Sequence, residues 1–147
     1  MILNKDSTIT EMNSIPDKAV GFVYCVTQKS TGMKYLGKKL FHRVKTFQVD
    51  SVKKKKVIES EWREYWGSSP RLKETIKEVG LDDFERIVLQ ICYSKTELSY
   101  TETLLILLSG SLVKDDYFND WVTCKITKKH LTKVRPNIIK YLETLHE

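Results

Sequence analysis

The residue whose chemistry the sequence constrains most is Glu102, on a predicted helix that begins near Thr96. Its neighbours one turn away are Leu98, Leu105 and Ile106, so its carboxylate lies on or beside the apolar face of that helix. An ionised carboxylate is costly to bury without a partner. Two interpretations follow: a glutamate that reaches solvent or pairs with a Lys or Arg, and a metal ligand that faces a cleft.

Two tyrosines, Tyr24 and Tyr35, occur in a predicted hairpin with ten residues between them. Tyrosines are common in strands, so packing explains either one alone. Gly37 follows at a position where the backbone turns sharply or approaches another group closely. Lys38 and Lys39 come next, and ammonium groups near a phenol favour the phenolate, which is the better proton acceptor. The hairpin therefore predicts a cluster of phenols and cations.

The positive charge of the chain is concentrated in one window. The net charge is +6, and residues 38–56 hold eight basic side chains and one acidic one, which leaves 17 basic and 18 acidic residues elsewhere. A cationic segment on a balanced domain predicts a polyanionic partner, nucleic acid first and anionic membrane second. The Lys53–Lys56 run is either a solvated loop or a contact to a nucleic-acid backbone.

Length and composition exclude several classes of protein. With 147 residues, of which 41% are hydrophobic and 30% charged, the chain fits one folded domain. The longest apolar run, Leu104 to Leu108, is too short to span a membrane, and the first twenty residues lack the apolar region of a signal peptide. The three cysteines have no CxxC spacing and no histidine at zinc-ligand spacing, which predicts buried free thiols.

The strands that must position these residues are indicated by β-branched and aromatic segments. Residues 21–28 and 33–37 predict a hairpin around a turn at Gly32, and residues 84–92 predict a third strand, apolar enough to be central. The basic stretch after the second strand has no helical period. It predicts a long loop, with possible hairpin character around residues 47–57.

Capping residues indicate the helices. A short helix is predicted from about Glu59 to Trp66. Ser69 and Pro70 open the next helix, which ends at Gly80. The capping-box spacing of residues 94–97 opens the helix of Glu102, which lasts to about residue 109, and a terminal helix begins at residue 136.

A paired motif and several later features, in this order, resemble the GIY-YIG nuclease family. The motif is Val23-Tyr24 on the first strand and Tyr35-Leu36-Gly37 on the second. The later features are Lys38, the aromatic Tyr65, the GSS-x-x-L-x-x-x-I-x-x-x-G stretch from Gly67 to Gly80, the strand opening Phe84-Glu85-Arg86, the pair Leu98 and Glu102, and Asn119. The resemblance covers about residues 20–120, and the GSS segment looks most like homing-type and phage-borne members.

The resemblance implies an α/β fold in which a small three-stranded mixed or antiparallel sheet is flanked by helices. Residues 1–19 would form an N-terminal leader, residues 20–120 the nuclease-like domain and residues 121–147 a helical extension packed on it. The implied partner is double-stranded DNA, with no membrane, and the chain would be a monomer or a homodimer formed on DNA. The implied location is the cytoplasm of a bacterium or of a phage-infected host cell.

The implied reaction is hydrolysis of phosphodiester bonds at one divalent ion, Mg²⁺ or Mn²⁺. By the same resemblance Glu102 would hold the ion, with water and phosphate oxygens completing its shell. Tyr24 would help to deprotonate the attacking water, and Tyr65 would help to position water or phosphate. Lys38, Tyr35 and a nearby arginine would stabilise the charge of the transition state.

The chain departs from the family pattern at one expected arginine. Family members usually carry it one turn before the helix aromatic, and here that position is Glu61. Arg43, Arg63 and Lys39 are the candidates to supply the cation, and Arg43 is assigned to the site. The first motif also reads Phe-Val-Tyr, a variation that keeps the tyrosine.

A second set of residues is assigned to contacts with DNA. Basic side chains along the 38–56 window and polar side chains near the site would bind the backbone, independently of sequence and with strong salt dependence. The set is Lys39, Lys45, Lys53, Lys54, Lys55, Lys56, Arg63, Ser68, Ser69 and Asn119.

Two rival functions stay open. A DNA-binding regulator on the same fold, with weak or no catalysis, is favoured by the missing helix arginine. A structural protein with an incidental basic loop is disfavoured by the presence of Tyr24, Tyr35, Lys38 and Glu102 together.

Overall fold

The fold is built around a three-stranded antiparallel sheet. A computed structural model describes residues 12–145, and residues 1–11 of the expected leader lie outside the described residues. The strands are β1 (Gly21–Gln28), β2 (Lys34–Leu40), β3 (His42–Val49), β4 (Val52–Glu59) and β5 (Phe84–Cys92). The helices are α1 (Pro70–Val79), α2 (Lys95–Ser109), α3 (Lys128–Leu131) and α4 (Arg135–Thr144). The expected α/β fold class is confirmed.

The central strand of the sheet is β1. The strand order is β2-β1-β5, and both pairings are antiparallel. The predicted central position of residues 84–92 is therefore wrong. The reason lies in burial: seven of the eight β1 residues are buried, whereas only four of the nine β5 residues are. A middle strand is covered by a neighbouring strand along both edges as well as on its faces, so a strand that is buried along its whole length is the middle one.

The two faces of the sheet bury separate clusters. One face carries Phe22 and Tyr24, which pack with Trp62 and Leu72. The other carries Val23 and packs against α2. This division follows from the two-residue period of a strand. Because β2 pairs with β1 in register, Tyr35 and Lys38 are brought to opposite faces of the same edge strand.

Residues 42–59 form a separate two-stranded ribbon, which we call the ribbon. β3 and β4 pair in register from His42↔Glu59 to Val49↔Val52. Asp50 and Ser51 both have positive φ, of 48° and 66°, the geometry of a two-residue hairpin turn. The predicted long loop is therefore wrong, and the predicted hairpin character extends over the whole stretch. Consecutive lysines hide this signal because they obscure the two-residue period.

The short helix predicted over residues 59–66 does not form, since β4 runs to Glu59 and residues 61–64 make a turn. Trp62 at its centre is 1% exposed, and the buried guanidinium of Arg86 donates to the carbonyls of Trp62, Arg63 and Tyr65. These carbonyls are satisfied by a side chain in place of a helical ladder.

The predicted caps of the two main helices are confirmed. Ser69 accepts from the Leu72 amide at the start of α1, with Pro70 in its first turn. Ser94 accepts from the Glu97 amide, and the Glu97 carboxylate accepts from the Tyr93 amide. These bonds fix where α2 begins and therefore where Glu102 lies along it.

The remaining segments pack around this frame. Met12 and Ile15 contact the Phe22 cluster, and Tyr141 and Leu145 contact the cluster on the other face. Cys25 and Cys92 are buried free thiols as expected, but Cys124 is exposed because its segment lies outside the core. No helix within residues 12–145 has the length and apolar character needed to cross a bilayer.

Candidate active site

A cavity of about 250 Å³ opens at the β2 edge of the sheet. One side is formed by Tyr35 and Lys38 of β2, by Tyr65, and by Glu102 of α2. The lining also includes Phe118 and Trp121 from the segment after α2, and Ser68 and Pro70 at the start of α1. Side chains from both faces of the sheet reach this cavity because β2 is an edge strand.

Glu102 faces this cavity and also has a cationic partner. Its Oε2 lies 3.0 Å from Lys38 Nζ, and Lys38 also donates to Ser99 Oγ at 3.0 Å. The Glu102 side chain is 17% exposed, so the ion pair is partly shielded from solvent. The two interpretations of the sequence thus both describe this residue: it pairs with a lysine, and it faces a cleft.

Tyr24 lies in the core on the same face of the sheet as Tyr35, and it is not among the residues that line the cavity. Its cross-strand partner is Gly37, and a Cβ at residue 37 would lie 2.6 Å from Tyr24 Oη and 2.7 Å from a ring carbon of Tyr35. Glycine is required there because the phenol occupies the space of a side chain. Tyr24 Oη finds no hydrogen-bond partner within residues 12–145. It is therefore an orphaned polar atom that a water or a substrate atom could satisfy.

Burial, followed by the neighbouring Tyr35 and Tyr65, raises the pKa of Tyr24 well above its ordinary value of 10.0. The expectation that nearby ammonium groups favour its phenolate is wrong for this site. Desolvation of a phenol that is 1% exposed outweighs the nearby positive charge of Arg86. Tyr24 is a neutral phenol at neutral pH.

Tyr35 and Tyr65 share Ser68 as a hydrogen-bonding neighbour. Tyr35 Oη lies 3.1 Å from Ser68 Oγ. Burial raises the pKa of Tyr35 and of Tyr65, and the hydrogen bond to Ser68 opposes that shift in both. The rings of Tyr35 and Tyr65 lie 6.3 and 6.5 Å from that of Tyr24. The three tyrosines form a compact set of neutral donors beside the Lys38–Glu102 pair.

None of the three candidates for the missing arginine lines the cavity, but Lys39 contacts the ring of Tyr65, which does. Its Nζ lies 4.1 Å from the centre of the Tyr65 ring and 2.8 Å from Glu61 Oε1. Glu61, at the position of the expected arginine, therefore holds a cation and does not supply one. The Lys39 side chain is 15% exposed, so this charge is well shielded.

Arg43 and Arg63 lie outside the cavity lining. Arg43 Nε is 3.5 Å from Glu61 Oε2 at the base of the ribbon, and its side chain is 53% exposed. Arg63 pairs with Glu59 and stacks on the Trp62 ring. The geometry favours Lys39 over Arg43 for the cationic role, because the Lys39 side chain is the less exposed of the two and contacts the Tyr65 ring.

The polar groups of Ser69 and Asn119 make hydrogen bonds within the fold. Ser69 Oγ caps α1 and donates to the Phe118 carbonyl at 3.2 Å. The Asn119 amide accepts from the Leu36 amide at 2.9 Å and donates to the Leu36 carbonyl at 2.8 Å, as a neighbouring strand would. Both residues line the cavity; Asn119 keeps a second N–H for a DNA contact, whereas Ser69 would have to give up its bond to the Phe118 carbonyl in order to donate to a phosphate.

The other residues assigned to DNA contact lie on the ribbon. Lys45 and Lys53 to Lys56 are exposed, and the described cavity lining includes no residue of the ribbon. They therefore form a basic surface outside the cavity.

Two residues that matter for the site were missed by the sequence reasoning. Arg86 was noted only as part of a strand, although an arginine on an apolar strand signals buried partners, and here it fixes the Tyr65 turn. Trp121 is 68% exposed and lines the cavity. A tryptophan after Asn119 in a polar segment is the only signal the sequence offers for it.

The donor set fits a hard divalent cation such as Mg²⁺. Within residues 12–145 no three His, Cys, Asp or Glu side chains come together as a metal cluster. A magnesium site in a phosphodiesterase needs only one or two carboxylates, because waters and substrate phosphates complete its shell. Glu102 supplies one carboxylate, and the orphaned Tyr24 hydroxyl offers a partner for an ordered water.

The amino-acid sequence was compared with family models, with curated proteins and with solved structures. Residues 4–122 match the family model described as "Putative endonuclease segE, GIY-YIG domain". The matched range includes the cavity residues from Tyr35 to Val122. Searches of curated proteins and of solved structures gave no significant match.

Proposed function

The chain belongs to the GIY-YIG endonuclease family, and from that premise we propose that it cuts DNA by metal-dependent hydrolysis of phosphodiester bonds. The observation that carries the proposal is the cavity in which the Glu102 carboxylate, the Lys38 ammonium and the Tyr35 and Tyr65 phenols converge. A phosphodiester needs little else from a protein when cationic groups and neutral donors surround its oxygens.

We propose that Glu102 holds a Mg²⁺ or Mn²⁺ ion with water and phosphate oxygens. When bound, the ion would neutralise phosphate charge and lower the pKa of a coordinated water. Lys38 is 3.0 Å from this carboxylate, so its ammonium is available to a phosphate oxygen at the same point. Lys38 thereby stabilises the negative charge that grows as the phosphorus–oxygen bond breaks.

The tyrosines act as neutral groups in this proposal. Because burial raises the pKa of Tyr24, its phenol orients the attacking water through its unpartnered hydroxyl and does not carry a standing negative charge. Tyr35 and Tyr65 donate hydrogen bonds to phosphate oxygens, with Ser68 aligning the Tyr35 hydroxyl. Lys39, which contacts the Tyr65 ring, supplies the positive charge that the expected helix arginine would have supplied, in place of Arg43.

The test is nicking of supercoiled plasmid in Mg²⁺. Glu102→Gln keeps the shape of the side chain and removes its charge, so we expect loss of nicking with retained folding. Glu78→Gln, on the exposed side of α1, is the matched control and should cut as the wild type does. Equal nicking by Glu102→Gln and the wild type would overturn the proposal, as would undiminished wild-type nicking in excess chelator.

The second candidate is a DNA-binding regulator with little or no catalysis. The observation that favours it is Glu61, which occupies the expected arginine position and draws Lys39 and Arg43 to itself. The same assay separates the two functions. A regulator would shift DNA in a gel and leave the plasmid supercoiled in every metal tested.

The biological setting remains part of the proposal. We propose a homing-type or phage DNA-processing role in the cytoplasm of a bacterium or of an infected host cell, and action as a monomer or as a homodimer formed on DNA. The family match supports the endonuclease class.

A further inference from the structure

The ribbon presents positive charge on both of its faces. Directly opposed residues share a face, so the register puts Arg43, Lys45, Lys54 and Lys56 on one face and Lys53 and Lys55 on the other. Fifteen of the sixteen residues of β3 and β4 are exposed, so neither face is covered by the rest of the described chain. Because Arg43 pairs with Glu61 at the base, five lysines carry the charge along the ribbon, three on one face and two on the other.

This arrangement is unfavourable for the ribbon by itself. Lys45 lies directly opposite Lys56, and like charges at opposed positions destabilise a strand pair. A two-stranded hairpin without a core is at best marginally stable in water. The acidic residues of the ribbon lie at its ends, Asp50 in the turn and Glu59 at the base. The charges along its length are therefore matched to an external polyanion.

We propose that the ribbon enters the major groove of duplex DNA with phosphates on both sides of it, an inference that rests on the proposed function. A ribbon lying flat on a phosphate surface would use the cations of one face only. The major groove is about 12 Å wide and admits a two-stranded ribbon, whereas the minor groove is about 6 Å wide and does not. A groove with two anionic walls matches an element with two cationic faces.

The test compares the two faces with equal numbers of substitutions. Lys54→Ser/Lys56→Ser alters one face, Lys53→Ser/Lys55→Ser alters the other, and Lys128→Ser/Lys129→Ser on α3 is the control. Binding to a short duplex is measured by fluorescence anisotropy over a range of salt concentrations, without divalent metal. Each ribbon variant should lower the slope of log K against log salt by about 2 in magnitude, and the control should not. An effect confined to one face would overturn the proposal.

A chemical footprint identifies the groove. Dimethyl sulfate methylates guanine N7 in the major groove and adenine N3 in the minor groove. The wild type should protect guanine N7, and both ribbon variants should lose that protection while thermal denaturation shows that they fold. Protection of adenine N3 alone would overturn the groove assignment. Because neither measurement depends on cleavage, absence of nicking with guanine N7 protection intact would count against the proposed function alone.

A separate observation concerns Trp121, whose indole is 68% exposed at the cavity. The chain before it is fixed on two sides. Phe118 N donates to the Lys34 carbonyl at 2.7 Å, and the Asn119 amide binds both backbone groups of Leu36. Arg71 donates to the Tyr117 carbonyl at 3.0 Å. An exposed tryptophan is thus presented from a well-anchored backbone beside the Lys38–Glu102 pair.

We infer that Trp121 stacks on a base next to the scissile phosphate, which again rests on the proposed function. A phosphate held at Lys38 and Glu102 brings its sugars and bases to the surrounding cavity walls. Residues 118–123 all line the cavity, and among them the exposed indole of Trp121 offers a flat face to a base. Trp121 is therefore a positioning residue for the DNA that is cut.

The test uses Trp121→Ala and the conservative Trp121→Phe with DNA whose cleavage site has been mapped. Trp121→Ala should slow single-turnover cleavage by about 5- to 150-fold, the range expected for one lost stacking contact, and Trp121→Phe should restore most of the rate. Removal of the stacked base should abolish the difference between the wild type and Trp121→Ala. Equal cleavage rates for the wild type and Trp121→Ala on intact DNA would overturn the inference. So would a difference between them that persists when each base beside the cleavage site is removed in turn. In both cases cutting by the wild type would leave the proposed function intact.

Discussion

Gly37 is the single residue on which the geometry of the site depends most directly. We expect Gly37→Ala to lower stability by about 1–3 kcal/mol and to reduce cleavage strongly, because its methyl group would displace the Tyr24 and Tyr35 rings. Thermal denaturation and single-turnover cleavage measure the two effects. Gly32→Ala is the comparison for cleavage: its φ of +76° means that this variant also loses stability through backbone strain, but no atom lies near its Cβ position, so its cleavage rate should stay that of the wild type. Undiminished cleavage by Gly37→Ala would contradict this account.

The cation of the site is tested by three parallel substitutions. Lys39→Ala should reduce the cleavage rate by about 100-fold, since it removes a shielded ammonium beside Tyr65. Arg43→Ala and Arg63→Ala should stay within a few-fold of the wild type, because both side chains are half exposed and pair outside the cavity. Single-turnover rates at saturating protein give the comparison. A larger loss in Arg43→Ala than in Lys39→Ala would return the role to Arg43.

Residue types and spacing predicted Glu102, Lys38 and the tyrosines, because those features are local to one helix and one hairpin. They did not predict that Glu61 would hold Lys39 across 22 positions, which depends on how the Trp62 turn packs. The protonation of Tyr24 was also mispredicted, because burial cannot be judged from neighbouring lysines.

Among the structural elements, β2 depends on a side chain to complete its edge. Asn119→Ala would leave the buried backbone groups of Leu36 without partners and should cost roughly 2–4 kcal/mol. Chemical denaturation measures this difference, and Asn137→Ala on the exposed side of α4 is the control. A stability equal to that of the control variant would show that water replaces the amide.

The turn between β1 and β2 is joined to the start of β5 by Asp83. Hydrogen bonds from Ser30 and Gln28 hold the pKa of Asp83 below its ordinary value of 3.8. A lowered carboxylate pKa stabilises the fold above the unfolded-state value, and this contribution is lost as the pH falls through the folded-state value.

Asp83→Asn should therefore lower the melting temperature at neutral pH, and its difference from the wild type should shrink as the pH falls below 3.8. Melting curves across this range make the comparison, with Asp82→Asn as the neighbouring control. A difference that is constant at all pH values would mean that the charge of Asp83 has no part in it.

Caps and apolar runs predicted β1, α1, α2 and β5 closely, because these signals are local. The position of β5 at an edge was not predicted, since it depends on pairing between distant segments. The ribbon was predicted only in part, as hairpin character around residues 47–57, because consecutive lysines obscure the two-residue period. The turn at Trp62 replaces a predicted helix because Arg86, 24 residues away, binds its carbonyls.

For the whole molecule, residues 12–145 hold one candidate site, and under the proposed function a single site would cut one strand per visit. We expect nicked circles to accumulate before linear DNA in a plasmid time course, with linear DNA rising only as protein concentration favours a second copy on the duplex. Agarose gels across a dilution series measure both products. Linear DNA that appears as fast as nicked circles at the lowest protein concentration would indicate a preformed dimer.

The ends of the ribbon lie side by side on the main sheet. Ser60 N donates to the Phe41 carbonyl at 2.8 Å, Ser60 Oγ to the Leu40 carbonyl at 2.6 Å, and Phe41 N to the Val20 carbonyl at 3.0 Å. The residues on either side of the ribbon, Phe41 and Ser60, are therefore hydrogen-bonded to each other independently of the ribbon itself. A short turn, or a hairpin of different length and charge, could replace the ribbon without changing the path of β2. The length and charge of the ribbon can thus differ between related chains while the residues that line the cavity stay the same.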